Sequence, residues 1–254
     1  MSSGAELRAA EPPAVKSALR TVEVLELIAR ERGPLSLAEM HQRLGYPKSS
    51  LSMLLRTLVE AGWLETDPTS TRYGIGLHAL LAGTAYLDGD PVVTAARDTM
   101  LWLSEATGET VHLARLDGTD IVYLATRESQ HYLRPISRVG RRLPAYATSL
   151  GKALLAERGE PLPDELTPIT PYTLIDPAAL AADLAATRDR GYAIDHEENV
   201  LGLRCFGAAI RVPVPPRDAI SCSVPVARLE PAREEQIVAA LLTARDRLES
   251  LVRA

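Results

Sequence analysis

The feature that most narrows what this chain can fold into is a change of apolar period near its start. Leu19, Val22, Leu25, Ile28 and Ala29 recur at steps of three and four, the spacing of one helix face. Gly33-Pro34 ends that pattern. Ser36-Leu37-Ala38-Glu39 has the form of a capping box, so a second helix is expected from there to about Leu44. Gly45-Tyr46 reads as a turn, and Pro47 suits the first position of a third helix. That helix carries Leu51, Leu54, Leu55 and Leu58 on one face and ends at Gly62. The period then drops to two. Trp63–Thr66 and Arg72–Ile75 are expected strands, joined by the turn residues Asp67-Pro68-Thr69-Ser70. Three short helices followed by a two-stranded hairpin describe a winged helix-turn-helix.

Downstream the pattern is different. Leu77–Leu87 is apolar and alanine-rich, and reads as a linker helix before Gly89-Asp90-Pro91. Helices are expected at Val92–Ala106, Thr148–Glu157, Pro177–Asp189 and from about Glu230 to the end. Strands are expected at Thr110–Leu116, Asp120–Thr126, Tyr132–Ile136, Tyr192–Asp195, Arg204–Val214 and Ala219–Pro225. Strands and helices mix without a regular βαβ alternation, which marks an α+β domain. The expected organisation is a flexible arm over residues 1–14, a winged helix-turn-helix over 15–76, a linker helix over 77–91 and an effector-binding domain over 92–254.

Composition sets the outer limits. The chain has 254 residues, of which 46% are hydrophobic and 24% charged, enough to bury a core. No apolar run approaches the ~18–20 residues that cross a bilayer, and the polar N-terminus lacks the order of a signal peptide. A cytoplasmic protein with no membrane partner is therefore expected. Cys205 and Cys222 form neither a disulfide framework nor a zinc set. Residues 1–76 carry nine basic and nine acidic side chains, so the net charge of −5 lies entirely in the rest of the chain. Any contact with DNA must then come from local placement rather than overall charge.

With its leucines buried, the third helix leaves Lys48, Ser49, Ser50, Ser52, Met53 and Arg56 facing solvent. Lys48 and Arg56 can neutralise phosphates or reach guanine acceptors, the serines can bond phosphates or bases, and Met53 can touch a thymine methyl. Thr71, Arg72 and Tyr73 lie at the wing, placed for backbone or minor-groove contact. A winged helix used for protein contact is the other reading of the same pattern. The lack of Asp or Glu on this helix before Glu60 argues against an adaptor.

Ala18–Leu87 resembles the DNA-binding domain and linker of IclR-family bacterial transcription regulators. The order Leu-Ser-Leu-Ala-Glu, Pro-Lys-Ser-Ser, Leu-Leu-Arg-Thr-Leu, Gly-Trp-Leu and a Tyr-x-x-Gly wing end carries the likeness. Further on, GRRLPAYATSLGKALLA and GYAIDHEENVLGLRCFGAAI resemble two effector-domain signatures of that family. Where the family commonly has Thr-Val and a bulky residue followed by Arg, this chain reads Leu51-Ser52-Met53, which implies a different operator. The resemblance implies a GAF/PAS-like effector domain and a homodimer formed through the DNA-binding domain and linker, with a homotetramer as the larger assembly. It also implies a pseudo-palindromic double-stranded operator, and a repressor rather than an activator.

It further places the effector between the helix opened by Ser149 and Leu150 and the strands near the C-terminus. Asp195 and Cys205, ten positions apart, match polar positions of family members that bind small acids. The N–H groups at a helix start suit a carboxylate. Ser221 and Ser223 alternate on one strand and so face one side. Tyr132, Leu133 and Tyr146 are expected to supply an apolar wall. The effector class is a small organic or aromatic acid. Solvated strand serines and a buried, inert cysteine are the other reading. No catalytic and no metal residues are expected. Ser149-Leu150-Gly151-Lys152 fits Ser-x-x-Lys but lacks the partner motifs of acyl-serine enzymes. Asp195-His196-Glu197-Glu198 reads as a solvated acidic run, with zinc the lesser alternative that the resemblance allows. The competing class is a small-molecule-binding protein or enzyme with a vestigial winged helix.

Overall fold

The structure, a computed structural model, describes residues 15–31, 33–159, 162–163 and 165–253. Contacts divide the chain into two compact units, one ending at Tyr86 and one beginning at Leu87.

In the first unit, α1 (Lys16–Arg30), α2 (Leu37–Leu44) and α3 (Lys48–Glu60) pack around Val24, Ile28, Leu35, Met40, Leu51, Leu55, Leu58 and Leu64. The capping box forms: Ser36 Oγ accepts from the Glu39 N–H, and the Glu39 carboxylate accepts from the Ser36 N–H. Gly45, at φ 69°, makes the left-handed turn between α2 and α3, a conformation that a side chain would strain. Pro47 precedes α3 as its cap rather than opening it. The expected hairpin is part of a three-stranded sheet. A two-residue strand β1 (Leu35–Ser36) pairs with β3 (Arg72–Ile75), which also pairs with β2 (Leu64–Thr66). Two residues are too short for a period to show, so β1 left no sequence signal. The following helix, α4 (Leu77–Asp88), has no buried residue; Leu77, Leu80 and Leu81 are exposed.

The second unit is built on a six-stranded antiparallel sheet ordered β6-β5-β4-β9-β8-β7. The strands are β4 (Thr110–Asp117), β5 (Asp120–Arg127), β6 (Arg142–Pro144), β7 (Ala193–His196), β8 (Leu203–Ile210) and β9 (Asp218–Pro225). Strand alternation sorts the side chains onto two faces. Val111, Leu113, Phe206, Ala208, Ile210, Ile220, Cys222 and Val224 meet α5 (Pro91–Thr107) and α8 (Pro231–Arg253). Ala114, Ile121, Ala193, Ala209 and Ala219 meet α6 (Ser149–Arg158) and α7 (Pro177–Arg190). One face is large and branched, the other mostly small, and α6 sinks deep into the small one: Ser149 to Ala156 are all buried.

Two expected strands differ. Tyr132–Ile136 is a loop. Pro135 has no N–H to give to a ladder, and the partner groups at the start of β5 are taken by β6 instead. The strand expected to reach Val214 stops at Ile210, where Pro213 and Pro215 turn the chain away. Among the described residues no helix is long and apolar enough to cross a membrane.

Candidate nucleic-acid interface and ligand cavity

On α3 the buried leucines turn Lys48, Ser49, Ser52, Met53 and Arg56 outward, all exposed. Ser50 is half-buried, and its hydroxyl accepts from Arg20 at 3.4 Å. Arg56 lies 3.9 Å from Glu60, an exposed pair one turn on that leaves the guanidinium accessible. The wing residues are more committed to their own unit. Tyr73 packs against the core of the helices. Arg72 donates to the Pro34 carbonyl at 2.8 Å and sits 3.4 Å from Glu39. Thr71 lies within the Asp67 turn, where its N–H donates to Asp67 Oδ1 at 2.8 Å. That turn holds the Asp67 carboxyl down at about 2, chiefly through the Thr69 hydroxyl and the Arg72 N–H.

In the second unit, a cavity of about 250 Å3 opens between α6 and the small face of the sheet. Its floor consists of neighbouring residues in the strand register. Asp195 pairs with Cys205 and Cys205 with Ser223; beside that row, Gly207 pairs with Ser221 and Ser221 with His112. Gly207 is required there. A Cβ would stand 2.5 Å from the Ser149 carbonyl carbon and 2.8 Å from the Leu150 nitrogen. Its absence lets the first turn of α6 rest on the sheet. Thr148 caps that turn by accepting from the Gly151 N–H at 3.1 Å. The N–H groups of Ser149 and Leu150 precede the first helical hydrogen bond, so they remain available at the cavity wall.

Ser149, Leu150, Asp195, Cys205, Ser221 and Ser223 all line this cavity. Tyr132, Leu133 and Tyr146 do not. Tyr132 and Leu133 are fully and largely exposed on the 132–136 loop. Tyr146 is buried in the α6–α7 core, where its hydroxyl donates to the Thr167 carbonyl at 2.8 Å. The apolar wall comes instead from Ile136, Leu143, Val200 and Leu203.

The residues that sequence reasoning missed are His112, Tyr123 and Arg141, which share no spacing with one another. For His112 and Tyr123 the sequence signal is alternation on β4 and β5, legible once the sheet is known; Arg141 lies just before β6, inside the first effector-domain signature. His112 stacks on Tyr123 with ring centroids 4.6 Å apart, and its Nδ1 lies 3.1 Å from the Thr126 hydroxyl. Burial, then the charge of Arg141, pushes His112 down to about 4, so the ring is neutral. Arg141 lines the cavity with no ion pair among the described residues.

Behind the cavity floor lies a buried cluster. Lys152, on α6 and wholly inaccessible, lies 2.6 Å from Glu198 Oε1 and 2.9 Å from Asp183. Asp195 Oδ1 accepts the Glu198 N–H at 2.7 Å. Burial, with the Glu198 charge, raises Asp195 to about 7 against the pull of backbone N–H groups and Lys152. With Lys152 held by two carboxylates, Ser149 has no free amine beside it, and the Ser-x-x-Lys pattern forms no nucleophile–base pair. Zinc does not fit the donor set. Burial raises the Cys205 thiol, which donates to Ser223 at 3.2 Å, and among the described residues no His, Cys, Asp or Glu group is placed to hold a metal ion.

A helix-turn-helix unit followed by an α+β unit with a cavity beside its sheet is the arrangement of a transcription regulator. Residues 17–68 match the IclR helix-turn-helix domain, and residues 84–249 match the bacterial transcriptional regulator IclR C-terminal domain. The chain belongs to the IclR family. The transcriptional repressor IclR of Escherichia coli strain K12 is 33% identical over 245 residues, covering 91% of this chain and 87% of the repressor. The crystal structure of the Thermotoga maritima IclR is 26% identical and superposes with a TM-score of 0.69 over 95% of this chain and all of that one. An IclR homolog from Microbacterium hydrocarbonoxydans, crystallised with 4-hydroxybenzoate, shares the fold at 22% identity and a TM-score of 0.77, covering 93% and 99% of the two chains.

Proposed function

We propose that this chain is a repressor whose DNA affinity is set by a small organic or aromatic acid bound between α6 and the sheet. Residues 15–76 bind the operator, α4 within residues 77–91 links the two activities, and residues 92–254 bind the effector. The observation that carries the effector class is the pairing of the Ser149 and Leu150 N–H groups with an unpaired Arg141 around one cavity. Both favour a carboxylate. At about 250 Å3 the cavity lies just below the ~300–1,000 Å3 of most ligand sites, so the acid is small. Ser221 and Ser223 supply hydroxyls for its other polar atoms.

On the DNA side, Lys48, Ser49, Ser52, Met53 and Arg56 form the reading face of α3, with Ser50, Thr71, Arg72 and Tyr73 supporting it. The exposed leucines of α4 support pairing of two copies, which matches a two-fold operator. The ligand acts by binding one arrangement of that dimer better than another.

Fluorescence anisotropy of the protein on its own upstream DNA, at two salt concentrations, tests this reading. Benzoate, 4-hydroxybenzoate and short 2-oxo acids form the first panel. Specific, salt-sensitive binding that an acid weakens is the expected result. The Lys48→Ala variant is expected to bind more weakly across sequences, with a salt slope smaller by about one. Absence of specific binding at either salt overturns the reading in favour of a ligand-binding protein with a vestigial winged helix.

A further inference from the structure

The buried cluster behind the cavity has a charge pattern that binding of an acid alone does not use. Lys152 and Arg190 face Glu198 and Asp183, with Arg190 3.6 Å from Asp183. Two cations meet two carboxylates, and Asp195 has no ion pair of its own, only the longer-range pull of Lys152. From the other elements packed around it, Asp195 meets the Cys205 thiol of β8, the Tyr123 phenol of β5 and, at longer range, the Lys152 ammonium of α6. On its own turn it meets the Glu198 carboxylate, which opposes its charge, and the backbone N–H groups of Glu198 and Asn199, which favour it. Its strand neighbours point elsewhere: His196 is exposed, and Glu197 accepts from the Gly202 N–H at 2.7 Å. His112 on β4 is neutral, and Arg141 at the rim acts on His112 and Tyr123. An ionised Asp195 would therefore be a buried charge, 4% exposed, met only by backbone N–H groups and by a lysine already shared between two carboxylates, in the wall of a site that must also accept an anion.

We propose that the Lys152–Glu198 pair is a positioning device that presents Asp195 to the cavity as a neutral acid, so that an anionic effector binds together with one proton. The inference rests on the effector reading given above. The Glu198 N–H fixes the carboxyl by donating to Oδ1, and the same residue's side chain occupies the nearest cation. A carboxylic acid held this way still accepts at one oxygen and donates from the other to an effector oxygen. The proton comes from solvent and stays on Asp195. Its value of about 7 places this exchange near neutrality, and acid binding then weakens about tenfold per pH unit above that midpoint.

The test is a 13C-carboxyl NMR titration of the full chain without ligand, with the Asp195 signal assigned through Asp195→Asn. The expected midpoint is near neutral. Glu198→Gln removes the charge beside Asp195 and frees Lys152, and is expected to lower the midpoint by about one unit or more. Asp183→Asn, at a less buried carboxylate, is expected to lower it in the same direction and serves if Glu198→Gln fails to fold. A parent midpoint below about 5, within the ordinary carboxylate spread, overturns the inference while leaving the effector cavity standing. An unchanged midpoint in both variants overturns the positioning role. The effector reading fails by a separate result, the absence of any acid effect on DNA binding.

Discussion

The two units are held together by different kinds of information. In the DNA unit the core comes from consecutive helices, and the helix starts and turns that arrange them are written locally: the Ser36–Glu39 box, Gly45 and Pro47. In the effector unit the key ties join residues far apart in the chain. Arg115 makes a two-pronged contact with Asp218, at 2.6 and 2.9 Å, and its third nitrogen reaches Asp90 at 2.5 Å. Asp90 in turn caps α5. One guanidinium thus fastens the start of α5 to the adjacent strands β4 and β9. The difference teaches that a recognition helix can be read as a period, whereas a cavity is a product of convergence.

The largest effect should come from breaking that tie. Asp218→Ala removes the two-pronged partner of the buried Arg115, and is expected to cost about 3–5 kcal/mol. The sequence supplies a separate reporter for each unit, because its two tryptophans are Trp63 and Trp102. Urea unfolding followed by Trp102, in a Trp63→Phe background, should move to lower denaturant. The Trp63 transition, followed in a Trp102→Phe background, should move far less. Equal shifts would erase the contrast between the units.

Legibility in the sequence follows the same division. The three packed helices of the first unit, both wing strands and the outward face of α3 follow from apolar spacing together with the capping box and turn residues. Among the described residues the one unread element there, β1, is two residues long. In the effector unit alternation revealed that Ser221 and Ser223 share a face, and the family signatures drew attention to Ser149, Asp195 and Cys205. The same reasoning placed Tyr132, Leu133 and Tyr146 at the wall, because apolar character does not say which apolar surface a side chain joins. His112 and Tyr123 reach the cavity through the pairing of β4 with β5, and Arg141, though inside the first signature, reaches it through the return of the chain to β6. No spacing within one segment encodes that pairing.

The cavity also carries two opposed titrations, whose effect is intermediate in size. His112 is pushed down from 6.5 to about 4, so between those values the unfolded chain holds a proton that the folded one lacks, and stability falls on acidification. Asp195 is raised from 3.8 to about 7, so over the same window the folded chain holds the extra proton, and stability rises on acidification. Each slope is about 1.4 kcal/mol per pH unit, and together they nearly cancel. As the pH falls from 6.5 to 4, the His112→Gln variant, which keeps only the Asp195 titration, is therefore expected to gain urea resistance at the Trp102 transition, and the Asp195→Asn variant, which keeps only the His112 titration, to lose it. Parallel curves for the two variants would remove the basis for treating the pair as opposed.

The smallest effect belongs to the DNA unit and tests whether local signals are as local as they look. Ser36→Ala removes the side-chain half of the capping box and is expected to cost about 1 kcal/mol, read by Trp63. Yet Ser36 also pairs with Arg72 across β1 and β3, and Arg72 sits 3.4 Å from the same Glu39 carboxylate that completes the box. The cap and the wing thus share one anion. Loss of the serine hydroxyl should loosen the wing as well as α2, weakening DNA binding less than Lys48→Ala does while leaving the Trp102 transition in place. Amide exchange decides between the two ways the cap can act. Faster exchange in α2 alone makes it a purely local device. Faster exchange in both α2 and β3 shows that even the more legible unit relies on one contact that its helical period does not reveal.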